Sequence, residues 1–170
     1  MAQARLFFGS STGNTEYVAE LIENELGDLI ESSSNITEAR GEDFESADVL
    51  ILGSSTWDDG QLQEDWEEFW PEMDEIDLTG KTVALFGLGD ANGFSGEFVC
   101  ALGTMYEKVT ERGANVIGAW PSEGYEFEHS TALDGDNFVG LVIDEDNESD
   151  LTEERVKAWC DAIRAEIEAA

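Results

Sequence analysis

Ser10-Ser11-Thr12-Gly13-Asn14-Thr15 lies between an apolar run, Leu6-Phe7-Phe8, and a helical pattern at Val18, Leu21, Ile22 and Leu26. The run reads as a buried strand and the pattern as one face of an amphipathic helix. A strand, a hydroxyl-rich turn and a helix together make an arrangement that can hold a phosphate. Free N–H groups at a helix start point toward an anion, and the helix dipole favours negative charge there. Four hydroxyls and the Asn14 amide add donors without adding positive charge. A P-loop would carry a Lys before its Ser/Thr and a longer glycine-rich turn, and the dinucleotide fingerprint needs three spaced glycines. Neither is present, and a loop of neutral donors suits one terminal monophosphate better than a polyphosphate. Read without a ligand, the stretch is a polar strand-to-helix turn with a good N-cap.

Outward from this turn, apolar runs and helical patterns alternate. A strand over 4–9 precedes the helix at 15–26, and a weaker strand lies near Leu29 to Ser33. Asp48-Val49-Leu50-Ile51-Leu52-Gly53 is a buried strand, followed by helical residues 62–73 and the strand Thr82-Val83-Ala84-Leu85-Phe86-Gly87. A helix over 95–112, a strand at Asn115 to Ala119 and a last helix over 152–168 complete the series. Strands apolar on both faces, separated by amphipathic helices, call for a doubly wound α/β fold with a parallel sheet and helices on both faces. The pattern breaks between Trp120 and Gly140, then resumes as strand at Phe138-Val139-Gly140-Leu141-Val142-Ile143. Residues 1–170 show no linker or repeat and read as a single domain.

Forty acidic against eight basic residues give a formal charge of −32. That excludes nucleic acid and anionic membranes, which reward clustered Lys and Arg, and favours partners with a basic face. Such acidity is common in disordered chains, but 41% hydrophobic residues, with five Trp and nine Phe, argue for a folded core. Only three of the basic residues are Lys, and the self-repulsion suits a halophilic protein working in high salt. Cys100 and Cys160 fall in separate helices, and His129 stands alone, so no His/Cys metal set forms. With no signal-peptide pattern and no apolar run of about 18 residues, the chain is expected to be cytoplasmic, with reduced thiols.

Ligands of open parallel sheets bind beyond the carboxyl ends of the strands. After the strand ending at Gly53 comes Ser54-Ser55-Thr56-Trp57-Asp58-Asp59-Gly60, an indole at a loop tip that stays solvated unless something flat covers it. After Gly87 comes Leu88-Gly89-Asp90-Ala91-Asn92-Gly93-Phe94, a tight loop whose backbone can approach a ligand edge. Trp66 and Trp70, at helical spacing, read as core or groove-lining residues. Asp144-Glu145-Asp146-Asn147-Glu148-Ser149-Asp150 lacks the glycine and the terminal Glu of a calcium loop. It reads instead as a solvated turn, with Asp150 and Glu153 as a capping box for the last helix.

The first loop resembles Thr/Ser-x-Thr-Gly-x-Thr, the phosphate loop of the flavodoxins, small FMN-carrying electron-transfer proteins. The third resembles their Gly-x-Gly-Asp-x-x-Gly-Tyr, and the break at 120–140 resembles the insertion that splits the fifth strand in long-chain members. The resemblance implies a five-stranded sheet of order 2-1-3-4-5 and non-covalent FMN. Ser10 to Thr15 would hold its phosphate, Ser54 to Gly60 the inner ring face with Trp57 stacked on it, and Leu88, Gly89, Asp90, Asn92, Gly93 and Phe94 the pyrimidine end and outer face. Glu97, Phe98 and Val99 follow in the same loop region, and Asp146 matches a position near the ribityl chain.

Three positions depart from the family pattern: Phe94 replaces the usual Tyr, and Glu97 and Cys100 stand where many long-chain relatives carry Asn and Asp. In flavodoxins a second-loop carbonyl rotates to accept the proton on flavin N5; here the Asp58–Asp59 or Asp59–Gly60 peptide would do so. The implied function is low-potential one-electron carriage by a monomer between redox proteins, such as a ferredoxin/flavodoxin–NADP⁺ reductase and a low-potential acceptor. Three other readings share the fold, one of them a halophile binding module that keeps it without FMN. An FMN-dependent quinone or NAD(P)H reductase needs open space over the flavin, which Phe94 opposes. A response-regulator-like domain needs acidic strand ends where Gly9 and Ser32-Ser33 stand.

Overall fold

The computed structural model describes residues 3–57 and 60–170. The central sheet takes its strands from β1 (Ala4–Phe8), β2 (Ile30–Asn35), β3 (Val49–Trp57), β5 (Thr82–Leu88), β6 (Asn115–Ile117) and β10 (Leu141–Ile143), with β4 (Gln61–Leu62) appended to β3. Its path runs β10-β5-β3-β1-β2, and β6 also pairs with β5. All these pairings are parallel except the short β3–β4 hairpin. This is the expected order, with β6 and β10 as the two halves of the split fifth strand.

Alternation along the strands sends side chains to two cores. Phe7, Leu50, Leu52, Val83 and Leu85 pack under α3 (Glu64–Met73) and α4 (Cys100–Glu111), with Phe44 of α2 (Gly41–Glu45) at the same face. Leu6, Ile51, Ala84 and Phe86 pack under α1 (Asn14–Leu26) and α6 (Thr152–Ala169) on the other. Strands apolar on both faces are therefore sandwiched, as a parallel sheet requires. Gly53 is needed for this packing, because a Cβ there would fall 2.1 Å from the Phe86 ring.

The fifth strand breaks for a local reason. Strand geometry was expected to Ala119 but ends at Ile117, because Gly118 turns the chain out of the sheet at φ 85°. The Trp159 indole donates to the Gly118 carbonyl at 2.8 Å and fills the space a side chain would need. The excursion builds a second sheet from β7 (Trp120–Pro121), β8 (Leu133–Asp134) and β9 (Asn137–Phe138), in the order β7-β9-β8. Phe138, expected to begin the returning strand, thus belongs to the small sheet, and only Leu141–Ile143 rejoins β5. An aromatic cluster of Phe98, Tyr125, Phe127 and Phe138 seats the excursion, and Tyr125 Oη donates to the Val142 carbonyl at 2.6 Å.

Three further expectations are corrected. The helix expected over 95–112 begins only at Cys100, because Ser95–Glu97 forms a 3-10 turn and Val99 adopts a left-handed φ of 46°. The helix expected from residue 62 begins at Glu64, since Gln61 and Leu62 pair with Trp57 and Thr56 as β4. No Asp150–Glu153 capping box forms: Ser149–Leu151 coils into a 3-10 turn, and Leu151 sits at the N-cap of α6 without a side-chain bond. Among the described residues, no helix is long and apolar enough to cross a membrane.

Candidate functional site

The carboxyl ends of β1, β3 and β5 lie side by side, so the loops that leave them share one rim. They close on a cavity of about 460 Å³. Thr12 and Asn14 line it from the first loop, Ser55, Thr56 and Trp57 from the end of β3, and Leu88, Gly89, Asp90 and Phe94 from the end of β5 and the third loop. Glu145 and Asp146, of the one-turn α5 (Glu145–Glu148), complete the wall.

The first loop is shaped by Gly13, whose φ of 93° an L side chain rarely adopts. Its N–H donates to Ser10 Oγ at 3.0 Å, and its carbonyl accepts Tyr17 N–H, closing the first turn of α1. The N–H groups of Asn14, Thr15 and Glu16 then have no carbonyl four residues back within the helix, which leaves them aimed out of its N-terminus. Ser10 and Gly13 shape the turn, Thr15 is buried within it, and Ser11 faces a neighbouring cleft behind Trp57.

The strand expected to end at Gly53 runs on to Trp57, because Thr56 and Trp57 pair with β4. Trp57 thus stands at a strand end as an exposed wall, 38% accessible, with its indole N–H donating to Ser55 Oγ at 2.7 Å. Gly60, at φ 92°, returns the chain to Trp57 through a 3.1 Å bond from its N–H to the Trp57 carbonyl. The expectations placed on Asp58 and Asp59 lie outside the described residues. Ser54 is buried and turned away from the cavity, its Oγ donating to the Ser55 carbonyl and accepting Gln63 N–H.

The third loop gives the opposite wall. Phe94 is 50% accessible, the most exposed large apolar side chain among the described residues. The glycines here answer to the protein itself. A Cβ on Gly89 would press on Val99 and Phe98 at 3.0–3.2 Å, and one on Gly93 would meet Asp90 Oδ2 at 2.5 Å. Asp90 Oδ1 accepts Asn92 N–H and Gly93 N–H at 3.1 and 2.8 Å, so the carboxylate braces its own turn. Phe98 and Val99, expected at the site, are buried in the core beneath the loop. Asn92, Gly93 and Glu97 line an adjoining cleft beyond Phe94 rather than the cavity between the aromatics.

Residues that sequence reasoning passed over hold this end together. Asp144, expected in a solvated turn, is buried; its carboxylate accepts Ala91 N–H at 3.1 Å and Asn147 N–H at 3.0 Å. Asn147 in turn donates to Asp90 Oδ1 at 2.8 Å. The signal was available as an Asp three residues before an Asn, the spacing of a side-chain N-cap. Asp90, Asp144 and Asp146 each place an oxygen within 4.8 Å of the others. The N–H of Gly93 and then the Asn147 amide hold Asp90 below the usual carboxylate range. Burial first, then the charges of Asp90 and Asp144, push Asp146 up, and Glu145 is raised mainly by burial.

These features meet the demands of a flat, phosphorylated ligand. Two exposed rings face a shared slot, and a helix N-terminus with neutral donors opens at its end. A doubly wound parallel sheet with such a slot at its switch point defines a mononucleotide-type binding protein.

Comparison with known proteins agrees. The profile of the family described as Flavodoxin matches residues 6–159. The chain is 46% identical over 168 residues to Flavodoxin 1 of Salmonella typhimurium, covering 98% of this chain and 96% of that one. It is likewise 46% identical over 165 residues to a flavodoxin of Synechocystis sp., covering 96% and 97%. The crystal structure of Fusobacterium nucleatum flavodoxin bound to flavin mononucleotide superposes with a TM-score of 0.92 at 29% identity, over 98% of this chain and 99% of that one. The chain belongs to the flavodoxin family, whose members are electron-transfer proteins rather than enzymes.

Proposed function

We propose that the chain binds FMN non-covalently in the slot between Trp57 and Phe94 and carries single electrons at low potential between redox proteins. One observation supports this above the others: two exposed aromatic walls face a slot whose end is the N-terminus of α1. FMN, when bound, supplies the one-electron chemistry. The protein's part is to bind and tune. The first-turn N–H groups with Thr12 and Asn14 hold the phosphate, Trp57 and Phe94 exclude water from the ring faces, and the backbone of Leu88 to Asp90 meets the ring edge. No Lys or Arg stands in the three loops, and Asp90, Glu145 and Asp146 line the slot. Added negative charge is therefore disfavoured there, which lowers the potential of the second electron.

On this reading residues 1–170 form a single FMN-binding domain of the long-chain type, cytoplasmic and monomeric, because a charge of −32 opposes self-association. Its partners present basic faces, as a ferredoxin/flavodoxin–NADP⁺ reductase would, and the acidity adapts it to high salt. The test is a visible absorption spectrum of the purified protein with stepwise anaerobic reduction. Flavin bands that bleach in two separate one-electron steps, with no NAD(P)H oxidation, are expected. A protein that takes up no FMN, or one that oxidises NAD(P)H, overturns the reading.

A further inference from the structure

Gln63 is a fully buried polar side chain that N-caps α3 and also bonds toward two parts of the site. Its Nε2 donates to Ser11 Oγ at 3.0 Å and to Asp65 Oδ2 at 2.9 Å, while its Oε1 accepts Asp65 N–H at 3.0 Å. Its own N–H donates to Ser54 Oγ at 3.2 Å. Ser54 Oγ donates to the Ser55 carbonyl at 2.8 Å, and Ser55 Oγ accepts the Trp57 indole N–H at 2.7 Å. A continuous hydrogen-bonded path thus joins the first loop to the aromatic wall of the second. It passes through a residue that lines none of the cavity between the rings.

The route to Ser11 depends on a missing side chain. A Cβ on Gly9 would lie 2.1 Å from Gln63 Oε1 and 2.8 Å from Trp66 Cδ1. Gln63 therefore crosses over the Gly9 backbone to reach the loop that follows it. Its amide has both protons and its oxygen engaged, so it cannot rotate without breaking several bonds.

We propose that Gln63 is a positioning residue that couples the phosphate end of the site to its ring end: occupancy of the first loop by an anion steadies Ser11, and through Gln63 and the Ser54–Ser55 segment steadies Trp57. This rests on the FMN reading given above. Reciprocity requires that each end strengthen binding at the other by the same factor. The two ends can be loaded separately, with inorganic phosphate for the first loop and riboflavin, which lacks the phosphate, for the slot.

The experiment is titration of the FMN-stripped full chain with riboflavin, with and without inorganic phosphate, and with FMN. In the unsubstituted protein, saturating phosphate should tighten riboflavin binding about fivefold. Gln63→Met keeps the volume but removes the amide, and Ser11→Ala removes the acceptor at an exposed position. Both should abolish the phosphate effect on riboflavin and weaken FMN about tenfold, the size of one partly buried hydrogen bond. Riboflavin alone should bind as before. The double variant should be no worse than Gln63→Met, because the two residues act as one unit. If Gln63→Met fails to fold, Ser11→Ala carries the same comparison.

A phosphate effect that survives either substitution overturns the coupling, as does its absence from an unsubstituted protein that binds FMN. A protein that binds neither flavin overturns the function proposed above instead.

Discussion

Two parts of the cavity solve opposite electrostatic problems. At the α1 end the protein offers N–H groups and hydroxyls without a formal charge. Along another part of its wall it gathers Asp90, Glu145 and Asp146, with Asp144 buried beside them. An anion can be accepted at the first because partial charges on a helix N-terminus suffice over one turn. In the second, Asp144 and Asp90 are tied into hydrogen bonds, Asp144 capping α5 and Asp90 bracing its own loop, while burial pushes Glu145 and Asp146 toward their neutral forms. The contrast teaches that recognition and tuning are separable here: one end decides whether a phosphorylated ligand binds, the other how readily it takes further negative charge.

The most direct way to break that separation is to put a charge at the recognising end. Thr12→Asp should weaken FMN by about 100-fold or more, through repulsion of two close anions, and leave riboflavin nearly unchanged. Fluorescence titration of both ligands checks it. Trp57→Ala removes a wall both ligands share, so FMN and riboflavin should weaken together by about 10–100-fold.

At the tuning end, Asp144→Ala leaves Ala91 N–H and the Asn147 amide without their buried acceptor and should cost about 2–3 kcal/mol in urea unfolding of the FMN-free protein. Asp146→Asn removes a charge from the wall without disturbing the brace. The more negative potential should rise by about 20–40 mV, the equivalent of a screened charge at the rim of the slot, measured by anaerobic titration. The smallest effect concerns pH. Glu145 is raised above its ordinary value, so its ionised form opposes folding at neutral pH, and that opposition fades as pH falls through the carboxylate range. Glu145→Gln should therefore raise the thermal midpoint at pH 7, with a gain that disappears on acidification. Charge repulsion over the whole chain predicts a higher unfolding midpoint in molar KCl than in low salt, and equal midpoints would remove the halophile reading.

The recognising end was the more legible in sequence. Strand, hydroxyl turn and helix are contiguous from Leu6 to Leu26, so local signals carry all of it. The sheet was legible for a similar reason, since strands apolar on both faces leave few alternatives. The tuning end joins Asp90 to Asp144 and Asn147 across more than fifty residues, and no local pattern announces that pairing. The third-loop glycines pointed to a ligand, whereas packing on Val99 and Asp90 explains Gly89 and Gly93. Phe98 and Val99 follow the loop in sequence but sink beneath it, because the left-handed turn at Val99 redirects the chain into α4. The two-residue strand at Gln61 escaped notice because it exists only as the partner of Trp57.

The five tryptophans are spread over four parts of the molecule, Trp66 and Trp70 sharing one. Trp66 reaches from α3 into the core on one side of the sheet, Trp159 from α6 into the core on the other, and Trp120 stands at the root of the small second sheet. Trp70 packs edge-on against Trp66, and Trp57 stands at the cavity. The chain thus carries its own set of optical probes. Single-tryptophan versions would report separately on cofactor capture, on the melting of either half, and on detachment of the excursion, each at its own wavelength maximum and without an added dye.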